Sequence, residues 1–245
     1  MNTAPLDLKP ACQALEAYRA QFDKFAQMLI EANQTRNLTR ITDPSHIPVR
    51  HFLDSLAALA ILDQLAGQTG RPLRIADIGS GAGLPALALA IARPDWAIVS
   101  VEATEKKVQF QQAVCAALKL TNVQLLTARA EIVAHSPDGR QRFDAATARA
   151  VAPLPIVAEL SLGLVRQGGI GLFWKGRAVA GELAQGAAAV RQMGAAVEQL
   201  ADYCLQIPQE PPAELVLVVC RKMHSTPAKL PRAFGQIKKR PLTDN

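Results

Sequence analysis

Between residues 10 and 33 apolar side chains recur at three- and four-residue steps, through Leu15, Tyr18, Phe22, Phe25, Leu29 and Ile30. That period predicts one amphipathic helix. A polar loop from Asn33 to Arg40 follows and carries Arg36. Asp43 or Ser45 then caps a second helix, which begins near His46 and stops before Gly67. Its apolar positions include Phe52, Leu53, Leu56, Leu59 and Leu62. Both helices precede the first strand, so residues 1–70 are expected to form a helical cap.

From Leu73 the pattern changes. Short apolar runs at 73–77, 97–101, 123–128, 143–147, 168–174, 196–207 and 214–221 predict strands. Helical stretches lie between them at 104–120, 154–165 and up to about Met193, although residues 178–197 are rich in Ala and Gly and predict a weak helix. Such alternation means an α/β fold with a mostly parallel, seven-stranded sheet. Only Pro208, Pro211 and Pro212 separate the final two strands, so the last should run antiparallel in a hairpin at the sheet edge. The expected organisation is a cap (1–70), a core (71–222) and a tail (223–245).

Composition agrees with a packed core, since 49% of the 245 residues are hydrophobic and only 4% aromatic. Residues 1–10 lack a basic segment followed by an apolar one, so they do not read as a signal peptide. No apolar run is long enough to span a bilayer. Cys12, Cys115, Cys204 and Cys220 have no metal-ligand spacing, and three of them fall in apolar-periodic stretches where buried thiols are expected. A cytoplasmic, metal-free protein is the simplest reading. Charge is unevenly spread. Arg221, Lys222, Lys229, Arg232, Lys238, Lys239 and Arg240 face one acid, Asp244, so the last 25 residues carry the whole net charge of +6. Such a block suits a polyanion, though a solubilising end would look the same. Leu230 and Phe234 are spaced to dock on the core.

The chemistry concentrates at the first strand: Asp77-Ile-Gly79-Ser-Gly81-Ala-Gly83-Leu84-Pro85. Glycines let backbone turn tightly and approach a ligand closely. Asp77 ends the strand at the carboxyl edge of the sheet, where open α/β folds bind ligands. The second strand ends in Glu102, placed to accept hydrogen bonds from a ribose. The spacing departs from the dinucleotide pattern G-x-G-x-x-G, and no Gly-Lys-Ser/Thr marks a phosphate loop. It resembles instead the first motif of Rossmann-like S-adenosylmethionine-dependent methyltransferases. On that resemblance Gly79, Gly81 and Gly83 run beside the methionine part of the cofactor, and Ala130 and Glu131 border adenine.

Strand ends further along present Glu131, Arg149, Lys175 and Arg177 to the same rim. A mutual ion pair between Glu131 and Arg149, and solvated charge at Lys175 and Arg177, are the plain structural alternatives. The fourth strand is followed by Ala148-Arg-Ala-Val-Ala-Pro153 rather than the Pro-Pro-aromatic signature of exocyclic-amine methylation, and no cysteine nucleophile sits near this rim. An acceptor with its own lone pair, such as a ring nitrogen, needs neither, and transfer to it works by alignment. No residue is singled out as a certain catalyst, with Arg149 the candidate. Trp174 either stacks on a base or belongs to the core.

Taken together, Asn37-Leu-Thr, Val49-Arg-His-Phe-Leu-Asp-Ser55, the glycine turn, Arg129-Ala-Glu131, Ala148-Arg-Ala150, Lys175-Gly176 and Leu230-Pro-Arg…Ile237-Lys-Lys-Arg-Pro-Leu242 resemble the ribosomal RNA small-subunit methyltransferase G family, also called glucose-inhibited division protein B. The resemblance spans about residues 30–242. It implies methylation of guanine N7 in small-subunit (16S) ribosomal RNA, with S-adenosylmethionine as cofactor and naked RNA or the 30S subunit as partner of a monomer. It places the cofactor contacts on Asp77, Gly79, Gly81, Leu84, Glu102, Ala130, Glu131 and Arg149. RNA-side cations are expected at Arg36, His51, Lys175, Arg177, Arg232, Lys238, Lys239 and Arg240. Glu102 stands where Asp is common in the family, and Trp174 and the tail spacing also differ. A small-molecule or protein methyltransferase with a basic localisation tail, and a nucleotide-binding module without catalysis, remain open.

Overall fold

The computed structural model describes residues 2–243; Met1, Asn245 and the tail's one acid, Asp244, lie outside the described residues. Eight strands form a single sheet in the order β1-β7-β8-β6-β5-β2-β3-β4. They are β1 (Asn2–Pro5), β2 (Arg74–Ile78), β3 (Ala97–Glu102), β4 (Val123–Thr127), β5 (Phe143–Arg149), β6 (Val165–Gly176), β7 (Ala195–Leu205) and β8 (Ala213–Lys222). Only β8 is antiparallel, and it lies between β6 and β7 rather than outside them. The chain returns from β7 through the proline-containing loop, and the hairpin slots into the sheet. One strand was not expected. β1 pairs with β7 in parallel, from Asn2 opposite Gln199 to Pro5 opposite Asp202. At four residues, Asn-Thr-Ala-Pro, it is too short to show an alternating pattern.

The helices are α1 (Lys9–Ala17), α2 (Arg19–Arg36), α3 (Asp54–Leu56), α4 (Leu59–Thr69), α5 (Ala86–Ala92), α6 (Glu105–Leu118), α7 (Ala130–Val133), α8 (Leu154–Leu162), α9 (Val179–Gln192) and α10 (Phe234–Lys239). The single N-terminal helix expected from periodicity is two, broken where Tyr18 leaves helical geometry at φ −114° and ψ 26°. The break lets α1 lie on α4 while α2 lies on α6. The second expected helix is likewise segmented. Asp43 caps a short 3-10 turn at Pro44–His46 through Ser45 N, and a π-helical stretch, Pro48–Leu53, leads into α3. Gly67 does not stop α4, which runs on to Gly70, where φ is +65°. Helix α9 forms over fourteen residues despite its composition, because its buried side packs on α8 and β7.

Successive side chains of a strand point to opposite faces, and the sheet accordingly separates two cores. Ile75 and Ile98 face the cap and α5, whereas Ala76, Ile78, Val99 and Val101 face α8, α9 and the tail. Every residue of α5 is buried, which explains its wholly apolar sequence: the sheet covers one side and the cap the other. Phe22 and Phe25 of α2 close on Phe52 with ring centroids 5.0 and 5.3 Å apart. Such pairs add about 0.5–1.5 kcal/mol each beyond their buried area. Of the four thiols only Cys220 is fully buried; Cys115 is half-buried and Cys12 and Cys204 are exposed. The last two sit on outward-facing positions of their elements.

The basic tail is docked. Lys222 is buried and donates to the carbonyls of Leu162 and Met193 and to Thr226 Oγ1. Arg140 reaches the carbonyls of Thr226, Pro227 and Leu230 at 2.7–3.0 Å, and His135 Nε2 lies 2.7 Å from Pro231 O. Arg232 grips Glu159 of α8 at 2.8 and 2.6 Å through two guanidinium nitrogens, and its backbone N–H donates to the same carboxylate. Glu159 is 0% exposed, so Arg232 is the counter-ion of a buried acid rather than a free cation for RNA. Removing one partner of such a pair strands a charge. Arg232→Ala should lower the unfolding free energy by about 2–4 kcal/mol, read from the denaturant midpoint, whereas Lys238→Ala should leave that midpoint unchanged.

Candidate functional site

Strand β2 sits where the order of the sheet reverses, with β3 on one side and β5 on the other. At such a point the connections leave in opposite directions and a crevice opens beyond the strand ends. The glycine turn fills its floor. Gly79 has φ +66°, and a Cβ there would lie 2.9 Å from Val151 Cγ2; Gly83 has φ +89°, and its Cβ would strike Leu87 at 2.6 Å. Backbone geometry and crowding both demand glycine at these two positions.

A buried polar lattice holds the turn from below. Asp77 is 0% exposed. Its carboxylate accepts from Thr147 Oγ1 of β5 at 2.7 Å and from Ala86 N at the start of α5 at 3.2 Å. Burial pushes this carboxyl up to about 6, against the pull of hydrogen bonds from Thr147, Ser80 and Ala86. Ser100 Oγ lies 2.7 Å from Ser80 Oγ and 2.6 Å from Gln111 Oε1, and Gln111 Nε2 donates to Gly81 O at 2.9 Å. Asp77 therefore organises the turn and does not itself reach the crevice, contrary to the expected cofactor contact. Leu84 is likewise a core residue against the cap, 5% exposed. Gly81 serves through its backbone, donating to Glu102.

Above the turn lies a cavity of about 130 Å³. Its walls come from Ile78 and Gly79, Val101 to Ala103, Ala128 to Glu131, Val151, Leu160 and Phe234. Thus the structure brings together Gly79, Glu102, Ala130 and Glu131 from the expected set. Glu102 Oε2 accepts from Gly81 N at 3.0 Å and Oε1 from Thr104 N at 2.8 Å. A carboxylate offers about four acceptor positions, so half its capacity still faces the cavity. Glu131 is 6% exposed, lines the same space, and has no side-chain hydrogen-bond partner among the described residues. Two buried carboxylates over a glycine turn make a surface that calls for donors such as hydroxyl or amino groups. A larger hollow of about 580 Å³ lies at the far edge near β1 and β8. No motif residue lines it apart from Arg177, and Asp7, Asp202 and Glu214 make it acidic.

Arg149 turns away from Glu131 towards the cap. Its Nη1 donates to Asp54 Oδ2 at 2.7 Å and to Arg50 O at 2.9 Å, and Nη2 lies 3.4 Å from His51 Nδ1. Asp54 also accepts from Tyr203 Oη at 2.6 Å, while Trp174 Nε1 donates to the Asp54 carbonyl at 2.8 Å. Burial and the Asp54 carboxylate raise the Tyr203 hydroxyl well above its ordinary value. Trp174 is therefore a core residue with its N–H satisfied. His51 is buried, and burial, with the Arg149 charge beside it, pulls its pKa down to about 4. It is neutral, its Nε2 lies 2.9 Å from Thr39 Oγ1, and it is no rim cation. Lys175 is engaged by Glu182 at 2.7 Å and by Ala152 O at 2.8 Å; Arg177 pairs with Glu214. Of the expected cations Arg36, Arg177, Lys238, Lys239 and Arg240 are exposed, Arg177 within a surface ion pair.

Sequence reasoning missed Thr147, Ser100, Gln111 and Tyr203. Two of them carry a readable signal. Ser100 interrupts the apolar run Ile98-Val-Ser-Val101, and Gln111 sits on the stripe of Val108 and Val114 on α6. A polar group on a buried face must have partners, and here the turn supplies them.

A family model described as rRNA small subunit methyltransferase G matches residues 18–207. The ribosomal RNA small subunit methyltransferase G of Leuconostoc citreum is 37% identical over 222 residues, covering 91% of this chain and 90% of its own. Its counterpart from Roseiflexus castenholzii is 41% identical over 223 residues, 91% of each chain. That from Trichormus variabilis is 33% identical over 230 residues, covering 94% and 93%.

The burial of His51 has a measurable sign. Its folded pKa lies near 4 and its ordinary value is 6.5, so between those limits the unfolded chain binds the proton more tightly. Stability from this group is complete above about pH 6.5 and is lost as pH falls towards 4, a span worth up to about 3 kcal/mol. Asp77, with its raised pKa, works in the opposite direction over much of that range. The difference in unfolding free energy between the parent and His51→Gln should therefore grow from pH 4 to 6.5 and be flat above; a constant difference would rule out the neutral buried imidazole.

Proposed function

The chain belongs to the ribosomal RNA small subunit methyltransferase G family, and we propose that it methylates N7 of a guanine in 16S ribosomal RNA from S-adenosylmethionine held over the glycine turn. The observation that carries this reading is the pair of buried carboxylates, Glu102 and Glu131, facing one cavity at the reversal point of the sheet. Glu102, already oriented by Gly81 N and Thr104 N, is the acceptor for ribose hydroxyls. Ala130 and Glu131 border the base of the nucleoside, with Glu131 free to accept from an amino group. Gly79 leaves room for close approach of the backbone.

When bound, S-adenosylmethionine supplies a methyl group on a sulfonium, which the N7 lone pair takes as the carbon–sulfur bond breaks. Guanine N7 carries no proton, so the chain supplies alignment and no general base. The target base must be unstacked or lie in an exposed loop for N7 to reach the methyl. Arg149 is the candidate at the acceptor side. Its two ties to Asp54 and the Arg50 carbonyl make it a rigid link between the cap and the end of β5. On the RNA side the reading rests on the exposed Arg36, Lys238, Lys239 and Arg240, with phosphates as their partners. Lys175, Arg177, Arg232 and His51 have protein partners and are set aside from that role.

Both cores close within one chain, and Ile132 and Met223 are the exposed large hydrophobic residues among those described, which supports a monomer. No helix among the described residues is long and apolar enough to cross a membrane, and a ribosomal substrate fits a cytoplasmic enzyme.

Division of labour between pocket and tail is testable by calorimetry. Glu102→Ala should weaken S-adenosylhomocysteine binding by about tenfold or more while sparing RNA. Lys238→Ala/Lys239→Ala/Arg240→Ala should leave the nucleoside affinity intact and lower the salt slope of RNA binding by about 2–3. Equal loss of both ligands in both variants would overturn the assignment. Mapping of methylated bases in cells with and without the protein should show one 7-methylguanine lost from 16S ribosomal RNA.

A further inference from the structure

Helix α10 has two different neighbours. Phe234, its first residue, forms part of the cavity wall beside Leu160 of α8, and the Arg129 guanidinium lies over its ring at 4.7 Å from the centroid. Across the same helix, Arg232, Gln236, Lys239 and Arg240 line an open hollow of about 600 Å³. Ile237, 0% exposed, is the pivot between them. One helical turn separates Phe234 from Lys238, so the two lie on the same face of α10.

Ligand pockets for small molecules measure about 300–1,000 Å³, whereas the cavity here measures about 130 Å³. The hollow is open to solvent, so a nucleoside seated in it displaces a movable wall or extends beyond the present walls. Most walls cannot move. Ile78, Val101 and Glu102 are held in the sheet ladder, Gly79 is held by its hydrogen bond to Val101 O, and Ala130 belongs to α7. Phe234 is half-buried and sits between two fixed points, the Arg232–Glu159 pair and the buried Ile237, so its side chain turns while the helix stays anchored. Among the lining residues Phe234 is the aromatic one, and its ring is a surface against which an incoming base can pack.

On the reading of the cavity as a nucleoside site, we propose that Phe234 is a cofactor-binding residue contributed by the tail, and that through it cofactor occupancy sets the position of the basic cluster Lys238–Arg240. A base seated against Phe234 adds a contact to α10, so RNA then meets cations held more firmly. Coupling of this kind is reciprocal: RNA must tighten the cofactor by the same factor.

The test uses the full chain with S-adenosylhomocysteine and a 16S ribosomal RNA fragment. Calorimetry should show Phe234→Ala binding S-adenosylhomocysteine roughly tenfold more weakly than the parent. Phe234→Leu, which keeps the apolar contact without the ring, should fall between, and it carries the test if the alanine variant fails to give the parent's melting curve. Filter binding at fixed salt should show parent RNA affinity rising about fivefold or more with saturating S-adenosylhomocysteine, and Phe234→Ala showing no such rise. Nucleoside affinity within twofold of the parent in both variants, or parent RNA affinity indifferent to S-adenosylhomocysteine, would overturn the proposal while leaving the methyltransferase reading intact. Failure of the parent itself to bind S-adenosylhomocysteine would overturn that reading, and this inference with it.

Discussion

A carboxylate buried at the end of the central strand is the constraint on which the site depends. Asp77 touches three elements at once: its own strand β2, the neighbouring β5 through Thr147, and the first N–H of α5 at Ala86. Taking an acid out of water is costly unless its acceptor positions are filled. The cost binds these elements to one mutual arrangement, because any slippage would leave the group unsatisfied. The glycine turn between β2 and α5 inherits that precision, and Glu102 then fixes its outer side through Gly81 N. The crevice is shaped by backbone held in place from two directions, which is what an alignment-driven reaction requires.

A second polar hub does the same for the cap. Arg149, Asp54, Tyr203, Trp174 and His51 join four segments far apart in the chain, through contacts of 2.6–2.9 Å and the longer Arg149–His51 approach. Cap helices could otherwise slide over the apolar faces of α5 and α6, since hydrophobic burial is non-directional. Here the hydrogen bonds choose the register. The hub and the glycine turn share β5, as Thr147 serves one and Arg149 the other, two residues apart on the same face.

Much of this was legible in the residues. Alternating apolar runs from Leu73 onward foretold the core, because strands and helices with different periods leave different patterns. Gly79, Glu102, Ala130 and Glu131 were singled out and do line one cavity. Less legible was anything that depends on which residue lies across from which. Charge at Lys175, Arg177 and Arg232 reads as a binding surface until Glu182, Glu214 and Glu159 are found opposite them. His51 looked basic because a sequence shows a titratable group but not its burial. The four residues of β1 gave no periodic signal at all, and the split at Tyr18 is a matter of direction, to which a helical period is blind.

That first strand has a consequence for how the molecule is made. Its partner, Gln199–Asp202, is synthesised almost two hundred residues later. Until β7 has left the ribosome β1 has no mate, and the flank of β7 is sealed only once the two have met. Unpaired edges are where chains stick to one another. Growing polypeptides crowded on a polysome would be most vulnerable in the interval between the emergence of β7 and its closure.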